Sequence, residues 1–452
     1  MRVLDRSILP SVIASLCLVI PGACAPTSAD PGVTPAPSGF VANCAPDNAG
    51  LTLPAGFCAN IFADSIGRAR GLVVASNGDV YVAIEGTRRR NPADTTRLPP
   101  PVSFVALRDG NGDGRADMIQ RVGSTGNTGI ALFNGYIYVD EGTRIVRYRR
   151  SDSELAPTGS PEVIVEGIPL NPGHRARNFA IAADGSMYVN IGSPSNSCQE
   201  KDRTTESRGV DPCTELLTRA GVWRFDASRT NQTFSPEARY ATGLRNSIAL
   251  AFAPGGRLYA VPHGRDQLTA NWPKVFPDTG YQAENPAEEM VQVSQGDDFG
   301  WPYCYYAMDR QKRVTAPEYG GDGTRSERCD RTRAPVAVFP AHWAPMTLLF
   351  YSGSNFPARY RDGAFISFHG SWNRAPRPQA GYNVVFQPMS NGAASGAFET
   401  FADGFAGLPP SEIQPNRAKH RPVGLGVGPD GALYISDDVG GRIYRITYTG
   451  AR

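Results

Sequence analysis

Five side chains of this 452-residue chain have the types needed for one reaction site: Arg70, His174, Arg245, His369 and Arg421. They occur in GRARGL, NPGHRARNFAIAADG, ATGLRNSIALAF, FHGSWNR and KHRPVG, each at the mouth of an apolar strand. A neutral imidazole near pH 7 can take a proton from a hydroxyl. A guanidinium fixed beside a reacting oxygen stabilises negative charge as it develops there. Cations around one opening favour an anionic ligand, and arginine forks hold carboxylates well. Each residue alone has a plainer role, as a structural loop histidine, an arginine capping a turn, or half of a salt bridge. A separate stretch, DGNGDGRAD, spaces Asp109, Asn111, Asp113 and Asp117 as a calcium-binding loop does, with Arg115 offering a backbone carbonyl. Its twelfth position is Gln120 rather than Glu, so it also reads as an Asp/Gly-rich turn at a hairpin tip.

The elements that must position these groups recur. An apolar strand is followed by a Gly-containing turn and then by a strand centred on an aromatic residue. Six copies carry Tyr81, Tyr138, Tyr188, Tyr259, Phe365 and Tyr434 as the aromatic marker. Glycine lets the chain reverse at positive φ, as a hairpin requires. Six such units predict an all-β fold, a six-bladed β-propeller with long inter-blade loops, the longest between Gly264 and Phe350. Two β-sandwiches would also use hairpins, but six similar units do not divide readily between two unlike domains. Inserted loops should gather on one face around the channel.

Composition agrees. Gly (49) and Pro (38) are spread along the chain, which points to many turns rather than to disorder. A net charge of +2 offers no electrostatic reason to expect nucleic acid as a partner. Residues 1–24 read as an export signal, with an apolar run too short to cross a bilayer. The PGAC run ending at Cys24 resembles a lipoprotein processing site, although Pro21 stands where Leu is usual. Two outcomes stay open: a membrane tether through lipidated Cys24, or ordinary cleavage. Residues 25–43 read as a flexible tether and 44–452 as the propeller domain. An exported product, periplasmic or anchored in the outer membrane, also suits the cysteines. Nearest-neighbour pairing suggests Cys44–Cys58, Cys198–Cys213 and Cys304–Cys329, among 15 connectivities that six cysteines allow. No CxxC or CxxCH occurs, which argues against thiolate zinc and c-type haem.

The repeat pattern, His174 in its loop, Arg245-Asn246, and NPAEEMVQVSQGDDFGWP together resemble the pyrroloquinoline quinone (PQQ)-dependent glucose/sorbosone dehydrogenase family, from about Leu53 to Tyr448. That resemblance implies a PQQ- and calcium-dependent sugar oxidoreductase that passes electrons to an external acceptor. It implies His174 as general base and Arg245 with Asn246 on the quinone oxygens. It places His369 and Arg421 on the PQQ carboxylates, with Arg70 supplying a further charge. Lysine would be usual at position 369 in the soluble glucose enzymes. It assigns the calcium to the backbone carbonyls of Gly264 and Arg265, in an HGRD run that departs from the family's Gly-Pro. Asp266 there either adds a ligand or pairs with Arg265. Trp343, in FPAHWAP, resembles an aromatic lid.

Two other functions use the same fold: a calcium-dependent lactonase, and a non-catalytic propeller that binds carbohydrate or protein. A lactonase needs Asp, Glu and Asn around the channel mouth, where this chain has Arg and His. The sequence does not specify which sugar or polyol is the substrate, the acceptor or the oligomeric state.

Overall fold

The computed structural model describes residues 44–86, 101–170 and 173–450. The expected leader and tether, residues 1–43, lie outside the described residues, as does Cys24. Each of the six hairpin units forms the two inner strands of a blade. The first blade runs outward through Ala69–Val74, Val80–Ile84, Phe104–Arg108 and Met118–Val122. The second begins with Ile130–Phe133, the third with Phe179–Ile181, the fourth with Ala249–Phe252 and the fifth with Pro345–Phe350. The sixth is composite: Pro422–Val427, Leu433–Asp437 and Ile443–Tyr448 are completed by Phe57–Ala63 from the other end of the chain. The six innermost strands touch in sequence, and the sixth touches the first, so the ring closes. Closure removes the free sheet edges that an open array would leave.

The aromatic markers explain how blades pack. All six are buried on the second strand of their blades. Tyr138 of the second blade donates its hydroxyl to the Ala227 carbonyl of the third at 2.9 Å, and Tyr259 of the fourth reaches the Gly392 carbonyl beside the fifth at 3.0 Å. Each ring thus fills an inter-blade layer while its polar tip is satisfied. The tight reversals sit on glycines such as Gly78 and Gly431, at φ 90° and 80°. The three disulfides follow nearest neighbours, Cys44–Cys58, Cys198–Cys213 and Cys304–Cys329.

The long stretch after Gly264 is more ordered than a loop insertion. It carries two short helices, Leu268–Asn271 and Tyr281–Glu284, and a hairpin of Cys304–Ala307 with Lys312–Thr315. It also carries the outer strands of the fourth blade, Glu288–Val293 and Ala337–Phe339. These strands are short and mix acidic with apolar residues, which hides their period in the sequence.

Ring closure depends on Phe57. Its ring lies within 5.4 Å, centroid to centroid, of Phe356, Tyr360, Phe401 and Tyr448. Phe57→Ala should cost about 3–5 kcal/mol and lower the urea midpoint. Met118→Ala, on an outer strand at 43 % exposure, should stay within about 0.5 kcal/mol of the parent. Equal midpoints for the two variants would mean that the closing strand contributes little.

Candidate active site

His174 reaches its place because a glycine gives way. A side chain at Gly192 would meet Asn246 Oδ1 at 2.7 Å and His174 Cβ at 2.8 Å, so only glycine lets the two groups approach. His174 Nδ1 lies 2.6 Å from the Ser193 carbonyl oxygen. A carbonyl only accepts, so Nδ1 carries the proton and Nε2 keeps its lone pair. Burial first, and then the positive charge of Arg245, pushes the imidazole down to about 3. His174 is therefore a neutral acceptor at any ordinary pH. Asn246 is oriented the same way: its Oδ1 accepts from Asn190 Nδ2 at 3.1 Å, which leaves its amide as a donor.

Arg245 is buried and fully organised. Its Nε donates to the Asn196 carbonyl at 3.1 Å, Nη1 to the Gly264 carbonyl at 2.9 Å, and Nη2 to Asp266 Oδ2 at 3.1 Å. Asp266 also accepts from Arg203 at 2.8 Å and from Asn373 Nδ2 at 2.6 Å. Burial pushes the Asp266 carboxyl up, but Arg245, His342 and Arg203 together pull it well below the usual carboxylate range. The expected pairing of Asp266 with Arg265 is corrected: Arg265 ion-pairs with buried Glu318, and Asp266 serves Arg245 and Arg203. The reason is direction, since consecutive side chains on an extended segment point apart.

A second charged centre lies across the opening, around Asp438. His369 Nε2 is 2.8 Å from Asp438 Oδ1, and Arg70 Nη1 is 2.8 Å from Oδ2. Burial raises the Asp438 carboxyl, but His369, Arg70 and Arg68 outweigh it and keep the group ionised. Arg70 is therefore an inter-blade tie whose charge is already matched. Arg421 differs. Its Nε and Nη2 donate to the carbonyls of His369 and Gly370 at 2.8 and 2.9 Å, and its guanidinium lies 5.4 Å from the Tyr382 ring. Its backbone N–H donates to Asp437 Oδ1 at 2.7 Å, but among the described residues its guanidinium forms no ion pair. The segment from His369 to Asn373 links the two centres, with His369 on Asp438 and Asn373 on Asp266.

A ligand with several carboxylates fits this donor set, because the Arg421 guanidinium is partly buried and bonded to carbonyls rather than paired directly with an acid. The calcium assignment fits less well. The Gly264 carbonyl accepts Arg245 Nη1, and Asp266 is held by two guanidinium groups, so neither oxygen is free for a metal as the groups stand. The calcium-like loop is a turn held by its own backbone. Asp109 accepts from the amides of Gly112, Asp113 and Gly114, Asp113 from Arg115, Asp117 from Gly110, and Asn111 from Asp113. Among the described residues, the one group of His, Cys, Asp and Glu ligand atoms that converges is Cys198, Cys213 and Glu215, two of which form a disulfide. Trp343 is half-buried, edge-on against Phe368 and Phe398 at 5.3 and 5.9 Å, and its buried Nε1 has no hydrogen-bond partner among the described residues. The flanking His342 and Ala344 adopt φ 65° and 61°.

Sequence reasoning missed Asp438, Asn196, His263 and Glu288. Asp438 follows the last marker strand in ISDD, the position His369 occupies in the fifth blade and His263 in the fourth, so repeat alignment could have found it. Glu288 accepts from the amides of Gly264 and Ala344 at 2.7 and 3.2 Å, and burial raises its carboxyl to about 7. No local signal marks it, because its partners are backbone groups distant in sequence.

A family model described as TrAA12-like matches residues 51–449. An uncharacterized protein of Borreliella burgdorferi is 29% identical over 211 residues, which cover 46% of this chain and 48% of that protein. A pyrroloquinoline quinone-dependent pyranose dehydrogenase of Coprinopsis cinerea is 25% identical over 232 residues, covering 45% of this chain and 30% of that protein. The chain thus spans about half, or less, of the curated relatives it matches. Among solved structures, a carbohydrate-active enzyme of family AA12 from Trichoderma reesei superposes with TM-score 0.71 at 19% identity, over 88% of this chain and 98% of that one. The holo PQQ domain of the Coprinopsis cinerea pyranose dehydrogenase gives TM-score 0.69 at 19% identity, over 88% and 97%. At that identity the superpositions establish the six-bladed propeller.

Asp266→Asn leaves the buried Arg245 guanidinium without its countercharge and takes a partner from the more exposed Arg203. It should destabilise the protein at pH 7 by about 3 kcal/mol or more, read by urea unfolding. The folded-state carboxyl is depressed, so the wild type should keep this advantage above about pH 4 and lose it as pH falls further. Equal midpoints at pH 7 would show that the pairing contributes nothing net.

Proposed function

The chain belongs to the TrAA12-like family, and from that premise we propose that it oxidises a pyranose sugar with PQQ as hydride acceptor and His174 as general base. The observation that carries this reading is the Arg421 guanidinium, a partly buried cation whose side-chain hydrogen bonds go to backbone carbonyls, in the same cluster as an imidazole whose Nε2 keeps its lone pair. When bound, PQQ supplies an electrophilic quinone carbon and three carboxylates.

His174 Nε2 takes the proton of the reacting sugar hydroxyl, while the Ser193 carbonyl holds the ring in that tautomer. Arg245 and the Asn246 amide would hold the quinone oxygens, where a fixed guanidinium and an amide donor would stabilise negative charge. Asp266 and Asn196 fix Arg245 beforehand, so little reorganisation is needed at the moment of reaction. Arg421 holds a cofactor carboxylate, and His369, tied to Asp438, lines the same wall. Electrons then leave to an external acceptor. Calcium at the Gly264 and Arg265 carbonyls belongs to this reading on condition that Arg245 Nη1 releases the Gly264 oxygen. Three disulfides suit an exported protein, and we extend this to the periplasm or an outer-membrane anchor.

Purified protein should bind PQQ in an absorbance titration and reduce a redox dye with at least one of D-glucose, D-galactose, D-mannose, D-xylose and L-arabinose. Failure to bind PQQ with or without added calcium would overturn the reading. His174→Ala should abolish turnover and retain PQQ, and Arg245→Ala should lower turnover by about 10²-fold or more. A wild-type rate in His174→Ala would remove the proposed base. Because His174 is neutral down to about pH 3, it should contribute no acid limb to kcat/KM between about pH 5 and 8. A wild-type limb in that range, with PQQ binding constant across it, would contradict the assignment.

A further inference from the structure

Trp343 is half-buried against Phe368 and Phe398, and a second tryptophan is exposed between His369 and Asn373. Trp372 is 55 % exposed. Among the large apolar side chains exposed in the described residues (Met118, Ile119, Leu170, Leu217, Trp372 and Val439) it is the one aromatic. Its position follows from the chain path. His369, three residues before it, is bound to Asp438, and Asn373, the next residue, donates to Asp266 Oδ1 at 2.6 Å. Trp372 therefore sits on the short segment that bridges the two charged centres, on their solvent side.

The segment is held firmly. Ser371 Oγ donates to Gln379 Oε1 at 2.7 Å, and the Ser371 carbonyl accepts the Tyr382 hydroxyl at 2.6 Å. Arg374 Nη1 donates to the carbonyls of Ala283 and Ala341, both at 2.9 Å. A loop fixed on both sides of a residue, with that residue's indole left in water, serves no packing purpose for its own blade. An exposed indole on a fixed segment between two charged centres is placed where a ligand of those centres would meet it.

We infer that the Trp372 indole is the platform against which the C–H face of a pyranose ring lies while one of its hydroxyls reaches His174 Nε2. This rests on the sugar-oxidising reading above and names the residue that recognises the ring. The chemistry selects a sugar over the cofactor. Polyanionic PQQ belongs with the buried cations beneath, whereas the exposed indole offers a flat apolar surface without charge. A pyranose combines one such face with hydroxyls that suit the polar rim.

The test uses Trp372→Ala and Trp372→Phe in the full chain, with whichever of the five sugars above the wild type oxidises fastest. Trp372→Ala should raise KM for that sugar about ten-fold or more with kcat within about two-fold, the signature of lost ground-state binding. The PQQ titration should not move, and Trp372→Phe should recover most of the affinity. An unchanged sugar KM overturns the inference. So does a change confined to PQQ affinity, which would make Trp372 a cofactor wall, or to KM for the dye, which would make it an acceptor contact. If the wild type oxidises none of the five sugars, the oxidoreductase reading fails on its own. The platform is then judged by titrating D-glucose into PQQ-free protein. A fluorescence change present in wild type and absent in Trp372→Phe supports it, and no change in wild type overturns it.

Discussion

A charge taken out of water must be matched, and the arrangement of this propeller's upper face follows from that requirement. Arg245, Arg203, Arg70 and Arg68 come from different parts of the chain, and two acids, Asp266 and Asp438, bring them to two points. Each acid bridges segments that the blades alone would leave apart. Asp438 joins the sixth blade to the loop leading into the first and to His369 of the fifth. Asp266 joins the fourth-blade loop to Arg203 and, through Asn373, to the loop after His369. Arg421 is the exception: its guanidinium is partly buried and its side-chain hydrogen bonds go to neutral carbonyls.

The same economy of partners fixes protonation states. The Ser193 carbonyl leaves His174 one open nitrogen, and the Pro345 carbonyl does the same for His263 at 2.7 Å. Burial then keeps both rings neutral, pushing His263 down to about 4. A base that is never protonated at working pH loses none of its population to the wrong form, although its low basicity weakens its pull on a proton. Glu288 contributes from behind by joining the Gly264 and Ala344 amides, so the fourth-blade loop and the entry to the fifth blade keep one spacing. Gly192 sets the remaining dimension, because any larger residue would separate His174 from Asn246.

Much of this was legible from residues 71 to 434, and the reason is periodic. Each marker aromatic repeats the same job, filling an inter-blade layer beside a glycine-bearing turn, so the pattern survives divergent loops. The same regularity placed His174, Arg245, His369 and Arg421 at strand mouths. What failed was local inference about irregular segments. FPAHWAP and FHGSWNR each offer a tryptophan after a histidine, and nothing in either string tells which indole turns inward. The tertiary structure decides it: Trp343 lies edge-on against Phe368, while Trp372 is left exposed on a segment held on both sides. In DGNGDGRAD the spacing allows a calcium-like loop or a plain turn, and its carboxylates accept from amides of the same stretch.

By itself, the order of residues determined the number of blades, the cysteine partners and the kinds of groups at the opening, because hairpin periodicity and near-neighbour cysteines act over short stretches of chain. Ring closure decided the rest. Only when Phe57–Ala63 pairs with Ile443–Tyr448 does the first blade's Arg70 meet Asp438, and only the stacked loops bring Arg203 to Asp266. Those encounters join positions up to hundreds of residues apart. Their energies depend on burial, which exists only after the blades have packed.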